Sequence, residues 1–304
     1  MMSETIKKHR GVVVPMVTPV TPEGQLDAPA VGRVVDFLLA SRVDGIFVLG
    51  TTGEGSGIPW AQRRQLVDMV AAQARGRTVV YAGIGDAHPR ECEVGNEFLA
   101  AGVEALVCRP PANMPLENLE SWYRRILDGL NGPLLMYNMP ATSKVSIPLD
   151  VVGRLLGHPK LAGIKDSENN PRRIEELLKR FGGRPGFSVF IGVGALMEMG
   201  CKLGADGIVP SVGNLVPETC IQFDHAVRET RWEEVSACFS KMNAVAALYQ
   251  KGRNLNESLA ALKAAMFHRG LCSPHVMPPL VKVREAEMEQ IRQQMGALHL
   301  LNGR

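Results

Sequence analysis

The sequence predicts an α/β fold, a (β/α)8 TIM barrel with a C-terminal helical extension. Eight short apolar runs begin roughly 20 to 34 residues apart, which is the length of one strand plus one helix. The runs are apolar throughout rather than alternating, as is typical of parallel strands covered on both faces. They span residues 12–17, 46–50, 78–83, 105–108, 134–138, 161–165, 188–192 and 207–209.

The segments between these runs have helical periodicity. Residues 30–39 place Val31, Val34 and Leu38 on one face, and residues 60–74 and 116–130 follow the same pattern. Eight strand–helix units favour a closed barrel over an open doubly wound sheet. No linker or shift in composition divides residues 1–215, which also favours a single closed unit.

The chain after the eighth run has no further strand signal. Four helices are expected there, over residues 218–231, 232–250, 256–268 and 281–295, with Pro274, Pro278 and Pro279 before the last. The first would be the eighth barrel helix and the others an extension. We therefore predict a barrel catalytic domain over residues 1–230 and a C-terminal helical domain over residues 231–304.

Composition argues against several classes of protein. With 34 basic and 31 acidic residues the net charge is only +3, so no electrostatic surface for nucleic acid is expected. The six cysteines form no CxxC pair and have no zinc-like spacing, which favours reduced thiols and no metal site. Residues 1–10 lack the apolar stretch of a signal peptide, and no apolar run is long enough for a membrane span. We expect a cytoplasmic protein.

Lys165 ends the sixth apolar run. Burying a lysine is costly unless its ammonium is paired or neutral, and a neutral amine is the form that attacks a carbonyl carbon. The alternative is a lysine whose stem lines the sheet edge while its ammonium reaches water. Lys165 is thus a candidate nucleophile, and its assignment depends on the residues that a barrel would bring beside it.

A loop rich in glycine and hydroxyl groups follows the second run, with the sequence GTTGEG from Gly50 to Gly55. Its glycines free the backbone to approach a ligand, and the amides and hydroxyls of Thr51 and Thr52 suit a carboxylate. The alternative is a tight turn in which Glu54 caps the next helix. The loop is not a phosphate-binding P-loop, and a dinucleotide fingerprint is missing after the first strand, so no cofactor is expected.

Tyr137 lies near the end of the fifth run. A phenol there can relay a proton if it points into the barrel mouth, although a core aromatic with a satisfied hydroxyl is the alternative. In a (β/α)8 barrel, strand ends converge on one face. Lys165, Tyr137 and the Gly50–Gly55 loop would therefore meet at the mouth.

Four motifs carry a resemblance to a known family. They are VVVPMVTP at 12–19, GTTGE at 50–54, YNMP at 137–140 and GIKD at 163–166. In this order, and over nearly the whole chain, they resemble the dihydrodipicolinate synthase/N-acetylneuraminate lyase family. The resemblance implies a barrel with a C-terminal helical domain, commonly a dimer of dimers, and class I aldolase chemistry on pyruvate or another 2-oxo acid.

The resemblance also implies roles for particular residues. Lys165 matches the Schiff-base lysine of the family, and Tyr137 matches the tyrosine that shuttles protons to and from the substrate. Thr51 and Thr52 match the loop positions that hold the carboxylate of the 2-oxo acid. Val209 falls where the family turns a backbone carbonyl toward the substrate. A protonated imine is an electron sink, which agrees with these roles.

Two departures distinguish this chain from the synthases. Synthases carry a second tyrosine after the fourth strand, which enters the neighbouring subunit's site, and Ala112 stands in its place here. They also carry an arginine that binds the second substrate's carboxylate, and Thr142 takes its place, with Lys144 two positions on. Among neuraminate lyases the first loop hydroxyl is normally a serine, whereas this chain has Thr51.

These features predict a lyase that cleaves a 2-oxo acid to pyruvate and an aldehyde, or the reverse, with a substrate of the 2-keto sugar acid type. One alternative is a dihydrodipicolinate synthase that tolerates Ala112 and Thr142. Another is a catalytically silent sensor barrel, which the presence of both Lys165 and Tyr137 disfavours. The expected partners are the two small molecules and further copies of this chain, as a dimer or tetramer, with no nucleic acid and no membrane.

Overall fold

The computed structural model describes residues 7–85 and 90–301. Within them, eight parallel strands form a closed barrel, each paired with the next in sequence, so the predicted fold class is confirmed. The last strand returns to the first through Gly11↔Gly207 and Val12↔Ile208. The strands are β1 (Gly11–Pro15), β2 (Gly45–Val48), β3 (Val79–Ile84), β4 (Ala105–Cys108), β5 (Leu134–Asn138), β6 (Leu161–Asp166), β7 (Ser188–Ile191) and β8 (Gly207–Ile208).

Helices surround the barrel and extend beyond it. They are α1 (Ala28–Ala40), α2 (Trp60–Ala74), α3 (Glu91–Ala100), α4 (Leu119–Gly129), α5 (Pro140–Ser143), α6 (Leu149–Leu155), α7 (Pro171–Phe181), α8 (Met197–Lys202), α9 (Pro217–Arg228), α10 (Trp232–Gln250), α11 (Leu255–His268) and α12 (Glu285–Ala297). The single-turn α5 follows β5, and α10–α12 form the C-terminal extension. Side-chain caps fix several starts: the Asp27 carboxylate accepts from the Ala30 amide at 3.1 Å, and Asn254 and Glu257 form a capping box before α11.

Strands β1 and β2 each end two residues earlier than predicted, for different reasons. After β1, the amide of Val17 donates to the Asn214 side chain at 3.1 Å rather than to a neighbouring strand. After β2, Leu49 has φ +59°, so the strand ends at Val48, two residues before Gly50. Both deviations lie at the carboxyl ends of strands, where the loops of the mouth begin.

Helix ends also differ from the prediction in places. The 116–130 segment begins with a 3-10 turn, Leu116–Asn118, before α4. The last helix starts at Glu285 rather than at 281, because Val281 is 79% exposed and the helix's inward face begins at Met288. The eighth barrel helix, α9, ends at Arg228 rather than at 231, and the chain turns at Thr230 with φ +55°.

The apolar core has two parts. Inward residues of the strands fill the barrel, and outward residues pack beneath the helices. Each fully buried large side chain contributes roughly 1.5–3 kcal/mol. The interior is therefore packed rather than open, which leaves the mouth for chemistry. The interior set is Val13, Phe47, Tyr81, Ala105, Val107, Leu135, Tyr137, Phe190 and Val209.

The C-terminal helices pack on one side of the barrel. Helix α10 lies against α9, and α11 lies between α10 and α12. The predicted boundary at 230/231 falls in the turn between α9 and α10, and the division into two domains stays a prediction. None of the helices in the described part of the chain is both long and apolar enough to cross a membrane.

Candidate active site

Lys165 and Tyr137 are paired in register on the adjacent strands β6 and β5. The lysine is 6% exposed, and its Nζ lies 3.9 Å from the centroid of the Tyr137 ring and 5.1 Å from that of Phe47. Aromatic faces attract an ammonium at these distances. The amine is therefore held between two rings inside the barrel mouth, and its head does not reach open water.

The phenol of Tyr137 lies at the centre of a hydroxyl cluster. Its oxygen is 3.2 Å from Oγ1 of Thr51, and Ser167 also hydrogen-bonds it. Burial opposes ionisation, but the charge of Lys165 and the hydrogen bonds from Thr51, Lys165 and Ser167 together lower the pKa of Tyr137 below its ordinary 10.0. This phenol is easier to deprotonate than an ordinary tyrosine, as a proton shuttle requires.

The Gly50–Gly55 loop is a compact turn over the mouth. Gly55 donates from its amide to the Gly50 carbonyl at 3.1 Å, and the buried hydroxyl of Thr18 donates to the Gly53 carbonyl at 2.6 Å. A Cβ on Gly55 would lie 2.1 Å from the Leu49 carbonyl oxygen, so only glycine fits. The loop holds the hydroxyl of Thr51 at the phenol.

Glu54 is not a helix cap, contrary to the alternative raised from the sequence. Its side chain makes no capping hydrogen bond. Helix α2 begins at Trp60 after Pro59, also without a side-chain cap. The Glu54 carboxylate instead lies 2.5 Å from Nζ of Lys263 in α11.

The remaining sequence-predicted residues surround this cluster. Thr52 is half-buried in the loop, and a Cβ on Gly50 would meet the Phe47 ring at 2.7 Å. Val209 is 5% exposed, packs in the barrel interior, and its amide donates to Ile191 at 2.9 Å. Thr142 lies in α5, and its hydroxyl donates to the Met139 carbonyl at 3.2 Å.

Three residues that the sequence analysis did not select also lie at the mouth. Phe47 forms one wall of the lysine pocket, and Ser167 contacts the phenol. Arg109, just after β4, donates from its guanidinium to Oγ1 of Thr142 at 2.9 Å. Arg109 and Ser167 directly follow strands, so the expectation that strand ends converge on the mouth would have included them. Nothing in the sequence distinguishes Phe47 from a core residue.

A buried polar network fixes the strand ends behind the lysine. The Asp166 carboxylate accepts from the Asn138 amide at 3.0 Å and from the Arg173 guanidinium at 2.8 Å. Burial raises the pKa of Asp166 against the opposing effect of Arg173 and its hydrogen bonds. On the other side, a Cβ on Gly192 would approach Ser167 Oγ at 2.1 Å and Lys165 Cε at 3.0 Å. A side chain at position 192 would therefore displace Ser167 and crowd Lys165.

A cavity opens at this mouth, lined among others by Phe47, Thr51, Ser56, Arg109 and Tyr137. A hydroxyl, a phenol and a guanidinium thus face one space, beside a buried amine. Within residues 7–85 and 90–301, no group of three or more His, Cys, Asp or Glu side chains could hold a metal ion.

The rim differs from the rest of the mouth. Ala112 is exposed on this chain, and the neighbouring Asn113 donates from its amide to the Ser143 carbonyl at 2.8 Å. No aromatic ring stands at position 112, and Arg109 donates to Thr142 of α5 on the same side of the chain as the 113–143 hydrogen bond. The rim thus combines a small residue with a cation.

Comparisons with known proteins agree with this architecture. Residues 8–298 match the model of the dihydrodipicolinate synthetase family. The chain is 29% identical to a 4-hydroxy-tetrahydrodipicolinate synthase of Thiobacillus denitrificans, over 97% of this chain and 99% of that one. It is 27% identical to a probable 2-dehydro-3-deoxy-D-pentonate aldolase of Escherichia coli K12, over 97% and 99% of the two chains.

A solved structure also resembles this chain over nearly its whole length. It is a prophage protein from Escherichia coli K12 of the dihydrodipicolinic acid synthase family, in complex with pyruvate, with a TM-score of 0.89. The two chains are 25% identical, and the match covers 96% of this chain and 99% of the other. The resemblance and the enzyme class expected from the sequence are confirmed. The chain belongs to the dihydrodipicolinate synthetase family and is a lyase of the class I aldolase type.

Proposed function

We propose that this enzyme forms a Schiff base between Lys165 and a 2-oxo acid and interconverts that acid with pyruvate and an aldehyde. One observation carries the proposal: the buried Lys165 amine lies over the Tyr137 ring, and the phenol oxygen is 3.2 Å from the Thr51 hydroxyl. A nucleophile, a proton shuttle and a hydroxyl donor thus occupy one pocket.

In this scheme, the Lys165 amine attacks the C2 carbonyl, the carbinolamine loses water, and a protonated imine forms. During cleavage the C3–C4 bond breaks and its electron pair moves toward the imine nitrogen, leaving an enamine. The C4 hydroxyl gives its proton to Tyr137, and the fragment that contains C4 leaves as an aldehyde. Tyr137 returns a proton to C3, and hydrolysis of the imine releases pyruvate and the free amine. Thr51 orients the phenol through their hydrogen bond.

The same scheme assigns binding roles to the surrounding loop. The amides and hydroxyls of Thr51 and Thr52, with the open backbone at Gly50, would hold the carboxylate of the 2-oxo acid. The backbone carbonyl of Val209 would face the bound substrate. Support comes from the position of the loop directly over the phenol and from its compact hydrogen-bonded turn.

For the second substrate we propose a neutral or hydroxylated aldehyde, so that the full substrate is of the 2-keto sugar acid type. Ala112 stands in the place of the second tyrosine of the synthases, and Thr142 in the place of the arginine that binds the carboxylate of aspartate semialdehyde. Loss of a charge-assisted carboxylate contact costs about 1.5–3 kcal/mol, roughly ten- to a hundred-fold in binding. The relative that is a probable pentonate aldolase supports this choice.

A second candidate, condensation of pyruvate with aspartate semialdehyde, is favoured by one observation. Arg109 brings a guanidinium from β4 to the hydroxyl of Thr142, the residue in the place of the synthase arginine. A guanidinium is well suited to a carboxylate because it offers paired donors. The relative named as a synthase supports this alternative.

Reductive trapping tests the first proposal. Borohydride plus pyruvate should add a reduced pyruvyl group to Lys165, identified in a tryptic peptide map. The variant Lys165→Arg should not be labelled, because a guanidinium stays protonated at any useful pH. Labelling elsewhere, or none on the wild type, would contradict the proposal and favour a silent sensor barrel.

A panel of aldehydes separates the two substrate candidates. Pyruvate is incubated with hydroxylated aldehydes and with aspartate semialdehyde, and kcat/KM is compared in wild type and Arg109→Met. We expect hydroxylated aldehydes to be preferred. If kcat/KM for aspartate semialdehyde reaches about 10⁴ M⁻¹s⁻¹ or more and falls in Arg109→Met, the synthase is the correct assignment.

We also propose that the enzyme is a cytoplasmic homo-oligomer, a dimer or tetramer. The support is the family match, since the resemblance implies an assembly of several copies of the chain. Light scattering tests the assembly, and a mass near the 33.0 kDa of one chain would contradict it.

A further inference from the structure

We infer that Glu54 and Lys263 are positioning residues for the 2-oxo acid carboxylate, because they hold the Gly50–Gly55 loop from outside the barrel. The inference rests on the proposed function. Neither residue touches the pocket around Lys165. Their contribution would come through Thr51 and Thr52, which stand three and two positions before Glu54 in the same turn.

The contact itself is an ion pair with two backbone partners. The Glu54 carboxylate lies 2.5 Å from Nζ of Lys263 and accepts from the Met277 amide at 2.6 Å. Nζ of Lys263 also donates to the His275 carbonyl at 2.8 Å. The side chains are only 2% and 1% exposed. We call this set, Glu54, Lys263 and the backbone at 275 and 277, the anchor.

The anchor contacts a turn in which two residues adopt backbone conformations that their residue types disfavour. Leu49 and Glu54 both have positive φ, +59° and +56°, although neither is glycine. Such conformations persist when surrounding contacts over-determine them. Thr18 holds the turn on the barrel side through the Gly53 carbonyl, and the anchor holds it on the side of the C-terminal helices.

A direct link then connects the anchor to the substrate-binding hydroxyl. The amide of Glu54 donates to the carbonyl of Thr51 at 3.1 Å, so a shift of Glu54 moves Thr51 with it. Thr51 in turn touches the phenol of Tyr137. Small errors in the placement of binding groups reduce catalysis strongly.

A matched control exists at the opposite end of the barrel. Nζ of Lys7 lies 2.8 Å from the Asp206 carboxylate and donates to the Phe187 carbonyl at 2.8 Å. Lys7 therefore joins a carboxylate and a carbonyl as Lys263 does, but far from the mouth. Lys7→Met should weaken the fold without altering the loop.

The experiment measures borohydride labelling of Lys165 at increasing pyruvate concentrations. In Glu54→Gln and Lys263→Met we expect the half-saturating pyruvate concentration to rise about ten-fold or more, with an unchanged yield at saturation. Lys263→Arg should recover much of the loss, and Lys7→Met should match wild type. Amide hydrogen exchange in peptides that contain residues 50–55 should be faster in Lys263→Met than in Lys7→Met.

If Lys263→Met does not fold, Glu54→Gln/Lys263→Gln replaces it, because both partners are then neutral and no buried charge is left alone. Anchor variants with the same half-saturation and loop exchange as Lys7→Met would overturn the inference while leaving the proposed function intact. Wild type that is not labelled at all would overturn both.

Discussion

The two ends of the barrel each hold a buried tyrosine against a nitrogen base, but with opposite electrostatic results. At the mouth, Tyr137 lies beside Lys165 and Thr51. At the amino end, the oxygen of Tyr81 is 3.0 Å from Nδ1 of His9. Both rings belong to the same packed interior.

The pKa values of these groups differ because of their neighbours. Burial, followed by the charges of Glu104 and Asp44, raises the pKa of Tyr81 far above 10.0, whereas Lys165 and its hydroxyl neighbours lower that of Tyr137. Burial, with a smaller effect of Lys8, lowers the pKa of His9 to about 4. His9 and Tyr81 are therefore both uncharged at neutral pH, whereas the phenol of Tyr137 gives up its proton more easily than an ordinary tyrosine. Depth in the core alone does not make a tyrosine reactive.

Removing each phenol oxygen in turn tests this difference most strongly. Tyr137→Phe should lower kcat by roughly 10²–10⁴-fold, because it removes a proton shuttle and keeps the ring. Tyr81→Phe should leave kcat unchanged and cost about 0.5–1.5 kcal/mol in the free energy of unfolding, since it loses one hydrogen bond. Steady-state kinetics and urea unfolding measure the two effects. Equal kcat values in the two variants would refute the distinction.

His9 predicts a pH dependence of stability that belongs to the amino end. Its pKa is lowered from 6.5 to about 4 in the fold, so between these values the unfolded chain binds a proton that the folded chain does not. Stability should therefore fall as pH drops from 6.5 to 4, by about 3 kcal/mol from this residue. Urea unfolding of wild type and His9→Gln over this range isolates the contribution. A variant with the wild-type pH dependence would contradict it.

The smallest expected effect is a shift in the titration of one phenol. Of the four tyrosines, Tyr81, Tyr123 and Tyr249 have pKa values raised chiefly by burial, and that of Tyr137 is lowered. An ultraviolet titration of the folded protein should therefore show one early phenolate, missing in Tyr137→Phe. In Thr51→Val the same signal should move to higher pH, because a hydrogen bond to the phenolate is lost. An unmoved signal would show that Thr51 has no part in the shift.

The sequence predicted the parts of the fold that depend on regular patterns. Fully apolar runs at steady spacing identified the strands, and the convergence of strand ends predicted that Tyr137 and Lys165 lie close together. The end of β2 could not be predicted, because a leucine in the sequence does not indicate the positive φ that Leu49 adopts. Local sequence patterns predict where strands and helices lie, but they do not predict the residue at which each one ends.

Contacts between residues far apart in the chain were also beyond the sequence. Glu54 suggested a local cap, yet its partner lies in α11. Arg109 and Thr142 come from the ends of different strands, and a single sequence gives no measure of which side chains meet across the mouth. Such pairs depend on the exact approach of packed elements, which residue type does not encode.

The seam between β1 and β8 sets an order of events during synthesis. Gly11 and Gly207 pair across it, and a Cβ on Gly207 would lie 2.2 Å from the Gly11 carbonyl oxygen, so at this pair the strands meet as bare backbone. These residues are roughly 200 positions apart, so at about 5–20 residues per second a ribosome needs roughly 10–40 s to make the partner that β1 requires. The first strand must wait unpaired on that side until β8 has been made. Lys263 lies later still in the chain, so the Gly50–Gly55 loop gains its contact with α11 only after all eight barrel strands have been made.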